Sequence, residues 1–314
     1  MAGLGTIFGL ATSLGLGAKQ AASGLNFLFD IPATLNTQIA IITGVTAVAV
    51  MSVIRGLEGG VKLLSNLNMT LAIILLAFVV AVGSGFGIFG DILTTASAYA
   101  TNIVPLSNWI GREDESWLHG WTVFYWAWWV SWSPFVGMFI ARVSRGRTVR
   151  EFVTAVLLVP TAVTVLWMAA FGANGLEQAA NGTGALADGI DKVSLSLFHM
   201  LDQLPWTLVT SCVAIVLVLV FFVTSSDSGS LVIDSITAGG KLDAPIAQRV
   251  FWAVMEGMIA GALLFGGGKQ ALDALQAGAI STGLPFVVLL LLMCVSLYIG
   301  LNRERRQLKA AASQ

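Results

Sequence analysis

The sequence predicts an all-α integral membrane protein. Of its 314 residues, 56% are hydrophobic and only 11% are charged, and the mean hydropathy is +0.85. A soluble domain carries roughly 25% charged residues, so this chain has too few polar residues to cover its surface in water. Its apolar residues form runs long enough to cross a bilayer as helices, whereas membrane β-barrels show short alternating segments.

Eight segments reach the length of about 20 mostly apolar residues that a spanning helix needs. They cover residues 4–29, 34–54, 68–90, 120–141, 152–172, 206–226, 248–266 and 283–301. The first segment is rich in glycine, and its small residues recur every four positions, at Gly5, Gly9, Ser13 and Gly17. This spacing lets another helix approach closely, and ordinary helix packing explains it.

The basic residues fall in alternate loops. Arg55 and Lys62 follow the second segment, residues 142–150 follow the fourth, and another basic group follows residue 301. The intervening loops are mainly acidic. Because cytoplasmic loops carry an excess of Lys and Arg, the pattern predicts that these basic loops and both termini of this chain are cytoplasmic.

Several function classes are not expected. A net charge of −1 gives no electrostatic basis for binding nucleic acid. The sequence contains no nucleotide-binding loop, metal-ligand cluster or nucleophile triad, so neither an enzyme nor a protein with a bound cofactor is predicted. Cys212 and Cys294 lie inside apolar runs and are expected to pack as small hydrophobic residues.

The fourth segment carries five tryptophans within twelve positions. Positions 121, 125, 128, 132 and 135 share one helix face, which Phe124 and Trp129 flank. Aromatic faces attract a cation that donates no hydrogen bonds, with about 2 kcal/mol for a desolvated contact. The spacing fits an aromatic box for a trimethylammonium group and an aromatic packing seam equally well.

Pro134 favours the box. A proline inside a helix frees the carbonyl four residues earlier, here that of Val130. Broken helices line substrate sites in many transporters, so we expect an interruption of this helix beside the aromatic residues.

A second group lies between Phe221 and Ser230, at the end of an apolar run. The hydroxyls of Thr224 and Ser225, with nearby carbonyls, are suited to a hard cation such as Na⁺. Asp227 is expected to pair with a basic loop residue. Glu256 is an intramembrane carboxyl and therefore a functional candidate, although a structural role facing a neighbouring helix would also explain it.

The stretch FYWAWWVSWSPFVGMFIARVSRGR (124–147) resembles the signature of the betaine/carnitine/choline transporter (BCCT) family. The runs FFVTSSD (221–227) and ATSLGLG (11–17) resemble two further segments of that family. The resemblance implies twelve spanning helices, ten of them in two inverted repeats of five, as in the LeuT-type fold of sodium-coupled amino-acid transporters.

The eight predicted helices are similar to the last eight of these twelve. Residues 1–90 would then hold the last three helices of repeat one, 91–119 a periplasmic connection, 120–301 the five helices of repeat two and 302–314 a short cytoplasmic tail. The resemblance also implies that the preceding helices, which supply half of the aromatic box, are missing from this sequence.

By position, the resemblance assigns residues to three sites. The substrate box includes Trp128, Trp129 and Trp132, and Phe124 matches an aromatic residue that lines the cytoplasmic path. Tyr125, on the aromatic helix face, is a further candidate for the substrate site. One cation site uses the Phe221 carbonyl, Thr224 and Ser225, and a second uses the Phe135 backbone and Thr6. Leu10 stands where the second cation site is expected to have another hydroxyl.

The expected function is secondary active import of choline or glycine betaine across a bacterial inner membrane, coupled to Na⁺ or H⁺. The resemblance further implies membrane lipids and a possible homotrimer as partners. The alternatives are a truncated inactive fragment, a carnitine-type exchanger without cation coupling, and a channel or scaffold protein with an aromatic seam.

Overall fold

The computed structural model describes residues 2–56, 60–83, 85–241, 245–267 and 270–312, and these residues contain helices but no strand. The helices are α1 (Ala2–Phe29), α2 (Leu35–Gly56), α3 (Lys62–Val82), α4 (Ile88–Ser107), α5 (Glu115–Trp117), α6 (Phe124–Val143), α7 (Val149–Trp167), α8 (Ala173–Ala180), α9 (Ser196–Asp202), α10 (Thr207–Thr237), α11 (Ile246–Gly267) and α12 (Ala271–Ala312). A π-helical turn joins α5 to α6, and another joins α7 to α8. The predicted all-α class is confirmed.

Six helical segments of the described chain are long and apolar enough to cross a membrane. They are Leu35–Arg55, Lys62–Val82, Val149–Ala180, Thr207–Thr237, Ile246–Gly267 and Asp273–Ala310. The other two predicted segments form α1 and α6, of 28 and 20 residues, which are also long enough to span about 30 Å of hydrocarbon. Their glycine, hydroxyl and tryptophan content keeps their hydropathy lower.

The third segment differs from its predicted range of 68–90, because α3 ends at Val82. A β-carbon at Gly83 would lie 2.2 Å from the side-chain oxygen of Asn174, so a close helix contact requires glycine there. Gly85 has a φ of +53°, a left-handed conformation that also favours glycine. Helix α3 therefore ends at Val82, and the apolar residues of the predicted range beyond it lie in a 3₁₀ turn (Gly85–Gly87) and at the start of α4.

Helix α1 lies at the centre of the structure and packs against α2, α6, α10, α11 and α12. Its small residues allow this. A β-carbon on Gly17 would fall within 1.6 Å of the Phe222 ring of α10, and one on Gly9 would fall 2.9 Å from the Trp132 ring of α6. The glycines of α1 thus let bulky side chains of its neighbours approach its backbone.

Contacts of Arg112 stabilise the connection between α4 and α6. Its guanidinium forms an ion pair with Asp114 and lies 4.9 Å from the centre of the Trp117 ring. The hydrogen bond from Arg112 holds the pKa of the Asp114 carboxyl below its ordinary value. The connection thus has a defined conformation on the surface of the protein.

Candidate functional site

The aromatic residues of α6 form a continuous ladder along one face. Trp121 stacks on Tyr125 with ring centroids 5.8 Å apart, Phe124 stacks on Trp128 at 5.4 Å, and Trp128 meets Trp132 edge to face at 6.5 Å. Trp132 in turn contacts Phe135 at 5.4 Å. The predicted common face is confirmed, and we call these six residues the aromatic ladder.

Two indoles of the ladder are fixed to α1. The Nε1–H groups of Trp128 and Trp132 donate to the Gly9 carbonyl at 3.2 and 3.1 Å, and that of Trp132 also lies 3.1 Å from Ser13 Oγ. Both rings are half-buried, so part of each remains open. The ladder is therefore an ordered aromatic wall at the crossing of α1 and α6.

The flanking residues differ in position. Phe124 is buried, while Tyr125 is 41% exposed. Trp129 is 69% exposed and lies away from the ladder, so the structure does not bring it together with Trp128 and Trp132. Its predicted place in a substrate box stays a prediction.

The prediction that this helix is interrupted at Pro134 is wrong. Helix α6 runs from Phe124 to Val143 without a break. The Val130 carbonyl, which cannot receive a hydrogen bond from Pro134, accepts one from Ser133 Oγ at 2.6 Å. The adjacent serine satisfies the freed group, so the helix has no need to unwind.

The first predicted cation site is partly assembled. Thr224 Oγ1 donates to the Phe221 carbonyl at 2.9 Å, which is an ordinary bond within one helix turn. Ser225 instead lines a small cavity between α1, α10 and α11. Thr224 and Ser225 therefore lie in different surroundings, although they are adjacent in the sequence.

The second predicted site is packed with apolar groups. Thr6 Oγ1 bonds back to the Ala2 carbonyl at 3.0 Å, as is common for hydroxyls in helices. Phe135 belongs to a buried cluster with Ile7 and Leu10. Leu10 also fills the space above Gly229, which explains an aliphatic residue at this position.

The buried carboxylates have partners that sequence reasoning did not assign. Asp227 accepts a hydrogen bond from Ser52 of α2, and it is Asp234 that forms an ion pair with Arg249, at 3.3 Å. Glu256 Oε2 accepts from Ser226 Oγ at 2.7 Å, in agreement with a carboxyl facing a neighbouring helix. Asp227 and Asp234 lie two turns apart on α10. Their distance in sequence from a basic loop does not show which of them pairs with a basic residue.

Sequence reasoning also missed Gly9 and Ser13 as partners of the tryptophans. The signal was present in the four-residue repeat of small residues in α1. What the repeat does not reveal is that its carbonyl and hydroxyl groups face indole N–H donors of a helix more than 100 residues away.

Comparison with known proteins identifies the family of this chain. The model of the BCCT, betaine/carnitine/choline family transporter, matches residues 1–306. Glycine betaine transporter 1 of Vibrio parahaemolyticus is 62% identical over 98% of this chain and 58% of its own length. A glycine betaine/proline/choline transporter of the same organism is 55% identical over 98% of this chain and 55% of its own length.

A more distant relative gives the same result. Glycine betaine transporter OpuD of Bacillus subtilis is 43% identical over 98% of this chain and 59% of its own length. The chain thus spans a little over half the length of these relatives, and its helices are those of a multi-pass membrane protein. The chain belongs to the betaine/carnitine/choline transporter family.

Proposed function

We propose that this chain takes part in the import of glycine betaine or choline across a bacterial inner membrane. The observation that carries this proposal is the aromatic ladder, in which Trp128 and Trp132 donate to the Gly9 carbonyl and are only half-buried. The names of the relatives support the same solute class.

The ladder suits a quaternary ammonium group for a physical reason. Such a group carries a permanent charge but has no hydrogen to donate, so aromatic faces bind it where carboxylate or carbonyl oxygens have no hydrogen bond to accept. The indole N–H groups already donate to α1, which leaves the ring faces as the available surface. Phe124 and Tyr125 extend this wall along α6. Trp129 lies away from the wall and would contact the solute only if the solute also met a second surface.

Transport would proceed by alternating access, driven by a gradient of Na⁺ or H⁺. A rocking motion of helices around a fixed site is the general mode of inverted-repeat transporters. For choline, the membrane potential adds about 2.3 kcal/mol per charge for each 100 mV. We place the basic loops and both termini of this chain in the cytoplasm, and propose a homotrimer surrounded by lipid as the assembled form.

Uptake measurements test the proposal. The chain is expressed in a bacterium that lacks its own betaine and choline uptake, and radiolabelled glycine betaine and choline are supplied. We expect Trp128→Ala and Trp132→Leu to raise the KM about tenfold or more, because each removes one cation–π contact. Trp126→Ala is the matched control, since Trp126 is 62% exposed and lies outside the ladder.

Membrane insertion of each variant is measured in the same cells. An unchanged KM in Trp128→Ala would identify the ladder as a packing seam. Absence of uptake by the inserted wild-type chain would reject transport by this chain alone. Replacement of Na⁺ by N-methylglucamine then separates Na⁺ coupling from H⁺ coupling.

A further inference from the structure

Glu256 lies at a small cavity between α1, α10 and α11. The cavity has a volume of about 10 Å³, and its polar lining consists of Ser13, Ser225, Ser226 and Glu256. This is room for a single particle the size of water or smaller. The remaining lining residues are Leu10, Leu14 and Phe222, so the polar residues border one small cavity inside a hydrophobic region.

The Glu256 carboxyl is only half satisfied by the protein. The residue is 1% exposed, and its Oε2 atom accepts a hydrogen bond from Ser226. Its Oε1 atom is buried and has no hydrogen-bond partner among the described residues. A buried carboxylate oxygen without a partner is costly, and burial of an unpaired charge costs several kcal/mol. The carboxyl therefore needs either a proton or a cation as its partner, because the described side chains supply no positive charge to it.

The hydroxyls around the cavity keep oxygen lone pairs available. Ser226 Oγ uses its hydrogen on Glu256, so its lone pairs remain. Ser13 Oγ donates to the Gly9 carbonyl at 3.0 Å and accepts from Trp132, which leaves one lone pair. Together with Ser225 and Glu256, these residues give the cavity oxygen atoms of the kind that hard cations prefer.

The charges nearby favour binding of a cation, because buried carboxyl groups outnumber the guanidinium that pairs with one of them. Buried on α10 and α11 are three carboxyl groups, of Asp227, Asp234 and Glu256. The guanidinium of Arg249 forms an ion pair with Asp234. Ser52 of α2 donates to Asp227, and Thr46 of the same helix lies against Gly257, so α2 presents hydroxyl groups to this region.

We propose that Glu256, Ser225, Ser226 and Ser13 form a binding site for a small monovalent cation, with Na⁺ as the ion of matching size. This site differs from the one that the family resemblance implies, because Glu256 supplies a carboxylate and Thr224 lies outside the cavity. The single carboxylate balances one positive charge, and the neutral hydroxyls complete the coordination.

The site is joined to the aromatic ladder through Ser13. The same hydroxyl lines the cavity and accepts from the Trp132 indole, so an ion that binds it changes the partner of a ladder residue. The idea that Ser13 couples the ion to the solute rests on the proposed function. The binding of the ion itself does not. Binding is therefore tested without transport.

The experiment measures thermal unfolding of the purified full chain in lipid nanodiscs, with Na⁺ increased against N-methylglucamine at constant ionic strength. A ligand that binds the folded state raises the unfolding midpoint with its concentration. We expect such a rise for the wild-type chain. Glu256→Gln should raise the Kd for Na⁺ about tenfold or more, because it removes the charged ligand.

Matched controls keep this test specific. Asp234→Asn changes a buried carboxyl that is paired with Arg249, and it should retain the response to Na⁺. If Glu256→Gln does not fold, Ser226→Ala should weaken the response severalfold, while Ser230→Ala, one turn along α10, should not. Ser230 bonds to the Asp227 carbonyl within its own helix.

Three results would overturn the proposal. The first is a wild-type chain whose midpoint does not respond to Na⁺, which would mean that Glu256 is neutralised by a proton. The second is a full response in Glu256→Gln. The third is loss of the response in Thr224→Ala with retention in Glu256→Gln, which would place the ion beside the Phe221 carbonyl.

Discussion

Helices α1 and α7 are both long membrane-length helices, yet their surroundings are opposite. Sixteen of the 28 residues of α1 are buried, whereas no residue of α7 between Val149 and Trp167 is buried. The apolar segment Val149–Ala180, which begins with α7, reaches a mean hydropathy of 2.1, while α1 is less apolar and is not among the six segments apolar enough to cross a membrane. The more apolar helix is thus the more exposed one.

This reversal follows from the solvent. Lipid chains are as apolar as leucine, so an exposed apolar side chain carries no penalty in a bilayer, and helices associate through close packing and hydrogen bonds. Small residues and hydroxyls therefore mark the interior, and hydropathy marks contact with lipid. Three matched pairs of substitutions test this difference, using the free energy of unfolding of each variant in mixed detergent micelles.

The largest effect is expected for Gly17→Ala in α1. Its new methyl group would overlap the Phe222 ring, and overpacking of this kind costs about 3 kcal/mol. Gly172→Ala, in the π-helical turn that joins α7 to α8, meets no atom within 4 Å and should not destabilise the protein. Combining Gly17→Ala with Phe222→Leu should restore part of the loss. Equal effects of the two glycine substitutions would contradict the central position of α1.

A smaller effect is expected from removal of aliphatic contacts. Ile7 is buried against Phe135 and Val232, so Ile7→Ala should cost about 2 kcal/mol through the cavity it leaves. Leu157 of α7 is 61% exposed, and Leu157→Ala should change the free energy of unfolding by less than about 0.5 kcal/mol. A larger loss for Leu157→Ala would mean that α7 is covered by protein in the folded state.

The smallest difference concerns two threonines. Thr12 Oγ1 donates to the Leu275 carbonyl of α12 at 2.9 Å, while Thr161 Oγ1 bonds within α7 to the Leu157 carbonyl at 2.6 Å. Thr12→Val should cost about 0.6 kcal/mol, the usual value for an interhelical hydrogen bond in a membrane. Thr161→Val removes only a bond within its own turn and should have no measurable effect. Comparable losses would show that the hydrogen bond to Leu275 adds nothing.

Much of this arrangement was predictable from residue patterns. The apolar runs placed the helices, and the common face of Trp121, Tyr125, Trp128, Trp132 and Phe135 was correctly inferred from three- and four-residue steps. Wrong predictions arose where one side chain changes a local rule. Ser133 satisfies the carbonyl that Pro134 frees, and the helix continues.

The partners of polar groups were not predictable in the same way. A threonine such as Thr6 is able to bond to its own helix or to a ligand, and its sequence neighbours do not decide between these. Asp227 and Asp234 lie two turns apart on one helix, so only the approach of α2 and α11 determines that Ser52 meets the first and Arg249 the second.

The sequence by itself determined that this chain is helical, lies in a membrane and carries an aromatic face on α6, because these depend on composition and on the helical period. The tertiary structure decided that α1 is the central helix, that its Gly9 carbonyl holds two indoles, and that Glu256 faces a cavity rather than an opposite charge. The contacts of Gly9 with the two indoles join helices more than 100 residues apart, and the geometry of all three features depends on how whole helices pack rather than on any local pattern.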